Sequence, residues 1–327
     1  MHNDNRLKLI KEWLPSVIGT ASFSINPASS DASFRRYFRV TVAQNSWIVM
    51  DAPPDQECTK PFVDIANFLF QHHIHVPEVK AINEKQGFLL LTDFGNKAYL
   101  DELNESTADV MYSSAIDGLI NIQKCPTREI NLPAYDRNLL NKEMMLFPDW
   151  YLNKHLNIPP PDFLQNTFDI LIDSALEQPK VVVHRDYHSR NLMHTNENSP
   201  GIIDFQDAVI GPITYDLVSL LRDCYISWPQ EKIDHWLFYY YSTAQDLELL
   251  IESITIEQFT KWFDLMGLQR HIKVLGIFCR LNYRDNKPNY INDLPLTLHY
   301  VQKITAKYPE FTDLNNFLKK TSLTAQS

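Results

Sequence analysis

A chain of 327 residues, 44% hydrophobic and 21% charged, has an ordinary globular composition and is long enough for two lobes with separate cores. Its net charge of −10, with no dense Lys/Arg cluster to offset it, excludes non-specific nucleic-acid binding, so an anion site has to build its own positive field. Cys58, Cys125, Cys224 and Cys279 lack C-x-x-C spacing, which argues for reduced thiols and against a zinc site or disulfide framework.

The opening segment, MHNDNRLKLIKEWLPSVIG, carries charges through its apolar stretch and has no secretory pattern. No window reaches the length of a membrane span, so the expected compartment is cytoplasmic. Leu7, Ile10 and Leu14 predict an amphipathic helix over Arg6 to Leu14 that ends at Pro15. Phe23 to Pro27, Phe34 to Val42 and Trp47 to Ala52 read as strands, with the polar turn SSDAS between the first two. A helix from about Gln56 to Phe70 follows. Strands over Val76 to Val79 and Gly87 to Leu91 would complete a five-stranded antiparallel sheet. From Tyr99 onward the periodicity is mainly helical, with Ala108 to Lys124 the clearest case.

The stretch Lys180 to Asp207, KVVVHRDYHSRNLMHTNENSPGIIDFQD, organises the chain. A β-branched run, Lys180 to His184, delivers the polar loop Arg185 to Arg190. Leu192 to Thr195 and Gly201 to Phe205 then form a hairpin around a turn-rich connection. Such a hairpin lets Asp186, Asn191 and Asp204 converge. Transfer of a γ-phosphoryl group needs positioning and charge neutralisation, which these residues can supply. Asp186 would orient a hydroxyl and accept its proton, while Asn191 and Asp204 would hold Mg2+ against ATP. The pattern H-x-D-x-x-x-x-N, followed thirteen residues later by D-F, resembles the catalytic and metal segments of the eukaryotic-type kinase superfamily. His188, two residues after the catalytic Asp, narrows the resemblance to the aminoglycoside phosphotransferase branch. The expected fold is therefore α+β, two-lobed and protein-kinase-like, with a small antiparallel-sheet lobe over residues 1–94 and a mainly helical lobe over 95–327.

That frame assigns further positions. The first hairpin lacks glycine, but Ser29, Ser30, Ala32 and Ser33 are small enough to admit a phosphate, with Ser30 and Ser33 offering hydroxyl donors. Met50 stands where the superfamily has its phosphate-binding Lys, and Asp64 where that Lys would find its acidic partner. Arg35 would replace the missing cation, with Arg36 the alternative, since strand alternation turns only one of them inward. Asp93, Phe94 and Gly95 precede the catalytic loop and so are not the metal triplet. They fall at the inter-lobe hinge, where the backbone near Thr92 would meet adenine and Asp93 would reach ribose or cap the next turn.

Glu143, a helical turn from Leu139 and Phe147, would either hydrogen-bond substrate hydroxyls or pair with a buried Arg. Asp216 would tie its helix to the catalytic loop. His188, Arg190, Arg222 and Tyr225 would face the substrate. Arg270, Lys273, Arg280 and Arg284 share one ridge of a helix, reading either as an anion site or as a solvated face.

SDASFRRYFRV, IVMDAPP, GFLLLTDFG, YDRNLLNKEMMLFPDWYL, HRDYHSRNLM, GIIDFQDAVIGPITYDLVSLLRDCYISWP and GLQRHIKVLGIF together resemble the bacterial N-acetylmuramate/N-acetylglucosamine kinases, within the aminoglycoside phosphotransferase family. The resemblance covers most of the chain, from about Ser30 to Leu294. It implies ATP-dependent phosphorylation of the anomeric hydroxyl of an amino sugar, giving α-1-phosphates for peptidoglycan recycling. It also implies small-molecule partners, an amino sugar and a nucleotide, with neither nucleic acid nor membrane. The lactyl carboxylate of muramic acid would give the basic residues a purpose, Arg270 among them. A kinase for another small alcohol and a nucleotide-binding pseudokinase are the alternatives.

Overall fold

The computed structural model describes residues 4–30 and 34–324. Asp4 caps the first helix, α1 (Asn5–Ile18), accepting from the Leu7 N–H at 3.0 Å. The helix does not stop at Pro15 as predicted. It runs one turn further and closes on Gly19, whose left-handed backbone (φ 73°) lets its N–H reach the Pro15 carbonyl at 3.2 Å. An internal proline costs about 3 kcal/mol. The extra turn offsets this by packing Val17 and Ile18 beside the fully buried Ile10 and Leu14, on a core made by Phe38, Val40, Val49, Phe88 and Leu90.

That core lies against an antiparallel sheet of β1 (Ser24–Ser30), β2 (Arg36–Val42), β3 (Asn45–Asp51), β4 (Val79–Asn83) and β5 (Phe88–Thr92), in the order β1-β2-β3-β5-β4. Helix α2 (Lys60–Gln71) lies between β3 and β4 in sequence. The fourth strand begins where the prediction ended, at Val79, because Pro77 has no N–H to give a ladder. The turn into β5 needs Gly87: its φ is 69°, and an added Cβ would fall 1.9 Å from the Ala52 carbonyl oxygen, which no rotamer change can relieve. Gly87→Ala should therefore cost about 2 kcal/mol or more in urea unfolding, and a loss under about 0.5 kcal/mol would mean that the turn can re-form elsewhere.

Contacts divide the chain into two compact units. Where the sequence suggests one boundary at 94/95, the first unit runs to Lys97 and also contains Leu192–Gln206. That later piece holds the hairpin β7 (Leu192–Met193) and β8 (Gly201–Ile202), shorter strands than predicted. Its backbone is tied down by His194 N–H to the Lys97 carbonyl (2.7 Å) and Ile202 N–H to the His75 carbonyl (2.8 Å). Phe205, fully buried, packs on Phe62 with ring centres 4.9 Å apart. Burying these apolar groups is what takes the segment out of the second unit.

The second unit, Ala98–Asn191 with Asp207–Ser327, is mainly helical. Its early helices are α3 (Tyr99–Glu102), α4 (Ala108–Gln123), α5 (Arg137–Met144) and α6 (Leu164–Leu176), with a π-helical segment Phe147–Leu156 after α5. Strand β6 (Lys180–Val183) pairs antiparallel with β9 (Val209–Pro212). Then come α7 (Tyr215–Leu221), α8 (Gln230–Asp246), α9 (Ile256–Tyr283), α10 (Leu294–Lys307) and α11 (Thr312–Thr324). Helix α9 is the axis of this unit, buried on nearly every side from Phe259 to Cys279. Among the described residues no helix is long and apolar enough to cross a membrane. The cysteines are free thiols, Cys58 exposed and the other three buried.

Candidate active site

Strand β6 leads into His184–Arg190, and Asp216 on the first turn of α7 shapes that loop. Its carboxylate accepts the His184 N–H at 2.6 Å and the Arg185 N–H at 2.9 Å, holding Arg185 at φ 77°. Burial pushes the Asp216 carboxyl up to about 7, against those two donors. The loop is braced further along. Tyr187 O–H donates to the Ala115 carbonyl at 2.7 Å, and Asp223 Oδ2 accepts from Ser189 N–H (3.0 Å) and Ser189 O–H (2.5 Å). Asp223, 1% exposed, drew no attention in the sequence; an acid inside the apolar run LLRDCY was the available signal.

Asp186 lies within this braced loop. Its carbonyl accepts the His188 N–H at 3.1 Å and the Asn191 side-chain amide at 3.0 Å, so both flanking residues are oriented by its backbone. Burial favours the neutral acid, but His188, Lys273, Arg270 and Arg185 overcome it and hold the carboxyl below the usual range. Burial also keeps His188 below its ordinary value, so at neutral pH the permanent cations carry the effect. Asp186 is thus an ionised carboxylate at neutral pH.

Two of those cations, Arg185 and Lys273, are anchored by a second buried group. Glu143 on α5 accepts hydrogen bonds from the Arg185 guanidinium and the Tyr135 hydroxyl, and pairs with Lys273 Nζ at 3.0 Å. Lys273 also donates to the Tyr215 hydroxyl at 3.0 Å. Burial would raise the Glu143 carboxyl, yet Lys273 and Arg185 bring it below its ordinary value. Of the two sequence alternatives for Glu143, pairing with buried cations is the one present.

The predicted substrate-facing residues separate. Arg222 is committed elsewhere, to Asp264 at 2.6 Å, in a buried cluster where Asp264 also takes Lys307 (2.6 Å) and the Tyr308 hydroxyl (2.7 Å). A buried guanidinium needs a carboxylate, and α9 supplies one. His188, Arg190 and Tyr225 come together: His188 meets the Tyr225 ring edge-on at 5.4 Å, and the exposed Arg190 guanidinium lies 3.4 Å from that ring's centre. The basic ridge of α9 also splits, with Arg270 and Lys273 buried, Arg280 half-buried and Arg284 exposed on Asp285.

In the first unit, Asp204 has a left-handed backbone (φ 69°), uncommon for a non-glycine residue, and accepts from Gln206 Nε2 at 2.7 Å. The hairpin register Leu192↔Ile202 means that Asn191 and Asp204 leave the same end of β7 and β8. Among the described residues no cluster of three or more His, Cys, Asp or Glu side chains forms a metal cage. Carboxylate and amide oxygens are ligand types that a magnesium ion takes.

The nucleotide positions are revised. Both Asp93 oxygens are taken by Arg39, at 2.6 and 2.9 Å, and Oδ1 also caps the Gly95 N–H at 2.9 Å. Asp93, its side chain 2% exposed, caps the turn, the second of the two alternatives the sequence leaves open. The Thr92 N–H is committed to the Glu78 carbonyl at 3.1 Å. Arg36 is locked on the buried Asp51 at 2.5 Å. Arg35 meets Glu57 at 3.1 Å, whereas Asp64 is exposed and paired with Lys60. Met50 is fully buried in the core. Ser30 ends β1 opposite Arg36; Ser33, with Asp31 and Ala32, lies outside the described residues.

Comparison with known proteins identifies the family. Residues 24–249 match the model of the phosphotransferase enzyme family, APH. A curated relative from Pseudomonas putida, named N-acetylmuramate/N-acetylglucosamine kinase, is 42% identical over 97% of this chain and 96% of its own. One of the same name from Neisseria meningitidis is 40% identical over 93% of this chain and 92% of its own. Among solved structures, a Plasmodium vivax ethanolamine kinase aligns with a TM-score of 0.68 at 13% identity, covering 96% of this chain and 92% of that one. A Streptococcus pneumoniae choline kinase aligns at 0.62 and 10% identity, covering 93% and 100%. Such low identities establish shared architecture alone, an antiparallel-sheet unit and a mainly helical unit of protein-kinase type. On sequence and fold together, the chain belongs to the phosphotransferase enzyme family and is a kinase acting on an alcohol group.

Proposed function

We propose that this protein transfers the γ-phosphoryl group of ATP to the anomeric hydroxyl of N-acetylmuramate and N-acetylglucosamine, as a cytoplasmic enzyme of peptidoglycan recycling. The observation that carries the reading is 40–42% identity, over nearly full length, to relatives bearing that name. The Asp186 environment supports it: a carboxylate kept ionised by Lys273, Arg270 and Arg185 is ready to accept a proton at neutral pH. Asp186 orients the sugar's anomeric hydroxyl and takes its proton as the oxygen attacks the γ-phosphorus; ADP departs with the electrons of the broken P–O bond. The Asn191 side-chain nitrogen donates to the Asp186 carbonyl, and in this reading its amide oxygen and the Asp204 carboxylate are the metal ligands. Magnesium held there would neutralise charge on the triphosphate. Arg35, half-buried beside Glu57, is our candidate for the cation that Met50 cannot supply.

Arg270, which has no carboxylate at ion-pair distance among the described residues, disfavours the alternative of a cationic alcohol such as choline or an aminoglycoside, since like charges would meet beside the reacting group. A coupled ADP-release assay across amino sugars, choline, ethanolamine, homoserine and an aminoglycoside tests this directly. We expect magnesium-dependent turnover with the two N-acetyl sugars and an acid-labile, alkali-stable sugar phosphate as product. Turnover confined to a cationic alcohol, or none with any acceptor, would overturn the assignment.

A further inference from the structure

Among the described residues of the second unit, the buried Arg and Lys side chains are Arg222, Arg270 and Lys273. Lys273 has Glu143 and Arg222 has Asp264. Arg270 is the exception. It is 5% exposed, yet among the described residues it has no carboxylate at ion-pair distance; its hydrogen bond runs to the Cys224 sulfur at 3.7 Å, a weak acceptor. A guanidinium taken out of water without a carboxylate is costly to keep, and it persists where function requires it.

Two neighbours show what Arg270 addresses. Arg270 reaches Cys224, which stands between Asp223, the acceptor of the Ser189 N–H and O–H, and Tyr225, whose ring His188 meets edge-on, so Arg270 lies beside the catalytic loop without bonding Asp186. His188, two residues from Asp186, is buried with its Nδ1 lacking any hydrogen-bond partner. Arg270 and His188 thus form a pair of buried polar groups with unused hydrogen-bonding capacity next to the catalytic loop. Arg190, on the same loop, is exposed and lies over the Tyr225 ring, where water already solvates it.

We propose that Arg270, assisted by His188, is the specificity-determining receptor for a carboxylate on the substrate, the group that distinguishes the lactyl-bearing sugar from its neutral counterpart. The inference rests on the amino-sugar reading above. The planar guanidinium offers two parallel charge-assisted bonds to a carboxylate, and the imidazole offers one neutral bond. A neutral sugar leaves Arg270 as it is in the free protein, so it is still accepted, but less favourably.

The test is a ratio, kcat/KM for N-acetylmuramate over kcat/KM for N-acetylglucosamine. Any effect of Arg270 on the charge of Asp186 alters both sugars alike and cancels. In Arg270→Gln the ratio should fall about 30-fold or more, with Arg270→Lys intermediate because it keeps the charge and loses the fork. An unchanged ratio, or a ratio that collapses in Arg190→Gln instead, overturns the assignment. Should the buried substitutions fail to fold, the wild-type protein decides: N-acetylmuramate should be preferred over its uncharged lactyl amide by about 10-fold or more, and equal use of the two overturns it. If the wild-type protein phosphorylates neither sugar, the amino-sugar reading is what has failed, and the receptor falls with it.

Discussion

Asp186→Asn should lower kcat by about a thousandfold while nucleotide binding and unfolding temperature stay near wild type. General-base help is worth about 10²–10⁴-fold, and the amide cannot accept the proton. The substitution is nearly isosteric, and the loop does not depend on the lost charge: it is the Asp186 carbonyl that accepts from His188 and Asn191, while Asp216 and Asp223 brace the chain on either side. Single-turnover kinetics at saturating ATP, with nucleotide affinity measured by calorimetry, separates chemistry from binding. A mutant within tenfold of the wild-type rate would remove Asp186 from proton transfer. The pH profile gives an independent check. Because neighbouring cations hold the Asp186 carboxyl below its usual range, the acid limb due to this group should lie below the 3.8 of an ordinary aspartate, and kcat should not fall on its account near pH 5.

The sheet, the catalytic loop and the helical second unit were legible because each rests on local information. β-branched residues mark β2, β3 and β6 and the apolar run FLLLT marks β5, while the H-x-D-x-x-x-x-N spacing marks the loop that Asp216 and Asp223 brace. What could not be read was pairing between distant side chains. Nothing near Asp93 in sequence announces Arg39, 54 residues earlier, whose fork closes over both carboxylate oxygens. Glu57 as the partner of Arg35 and Asp264 as the partner of Arg222 are equally non-local. The basic ridge of α9 shows the same limit. Periodicity placed four cations on one face, but only the packing of α5 and α7 decides that Lys273 is neutralised and Arg270 is not. Pro15 is the converse case, where a strong local signal was outweighed by the apolar packing of Val17 and Ile18.

The largest stability effect is expected from Glu143→Gln, through the cations left behind. The amide that replaces the carboxylate could still accept one hydrogen bond, but Arg185 and Lys273 would face each other at a buried site with no negative charge between them. Removing one partner of a buried ionic cluster costs about 3–5 kcal/mol, a large share of a typical domain's stability. The dependence on pH identifies the cause. In the wild-type protein the Glu143 carboxyl is held below the 4.5 of an ordinary glutamate, so the unfolded chain binds its proton more readily. Its contribution is complete above that value and is lost as pH falls through the lower folded pKa. The mutant has no such loss on the acid side. On the alkaline side, Lys273 is raised in the wild type against its burial by Tyr215 and Glu143. Without Glu143 its folded pKa drops, and the mutant should regain stability as pH approaches about 10. The deficit should therefore be widest around pH 6–8 and narrow at both ends. Urea unfolding at pH 4, 7 and 9.5 measures it, and a deficit independent of pH would point to lost packing as the cause. Adding Lys273→Met should recover about 2 kcal/mol or more of the loss, because the pair interacts directly and its effects should not add. Strictly additive losses would show that Glu143 stabilises the unit through Tyr135 and Arg185, without help from Lys273.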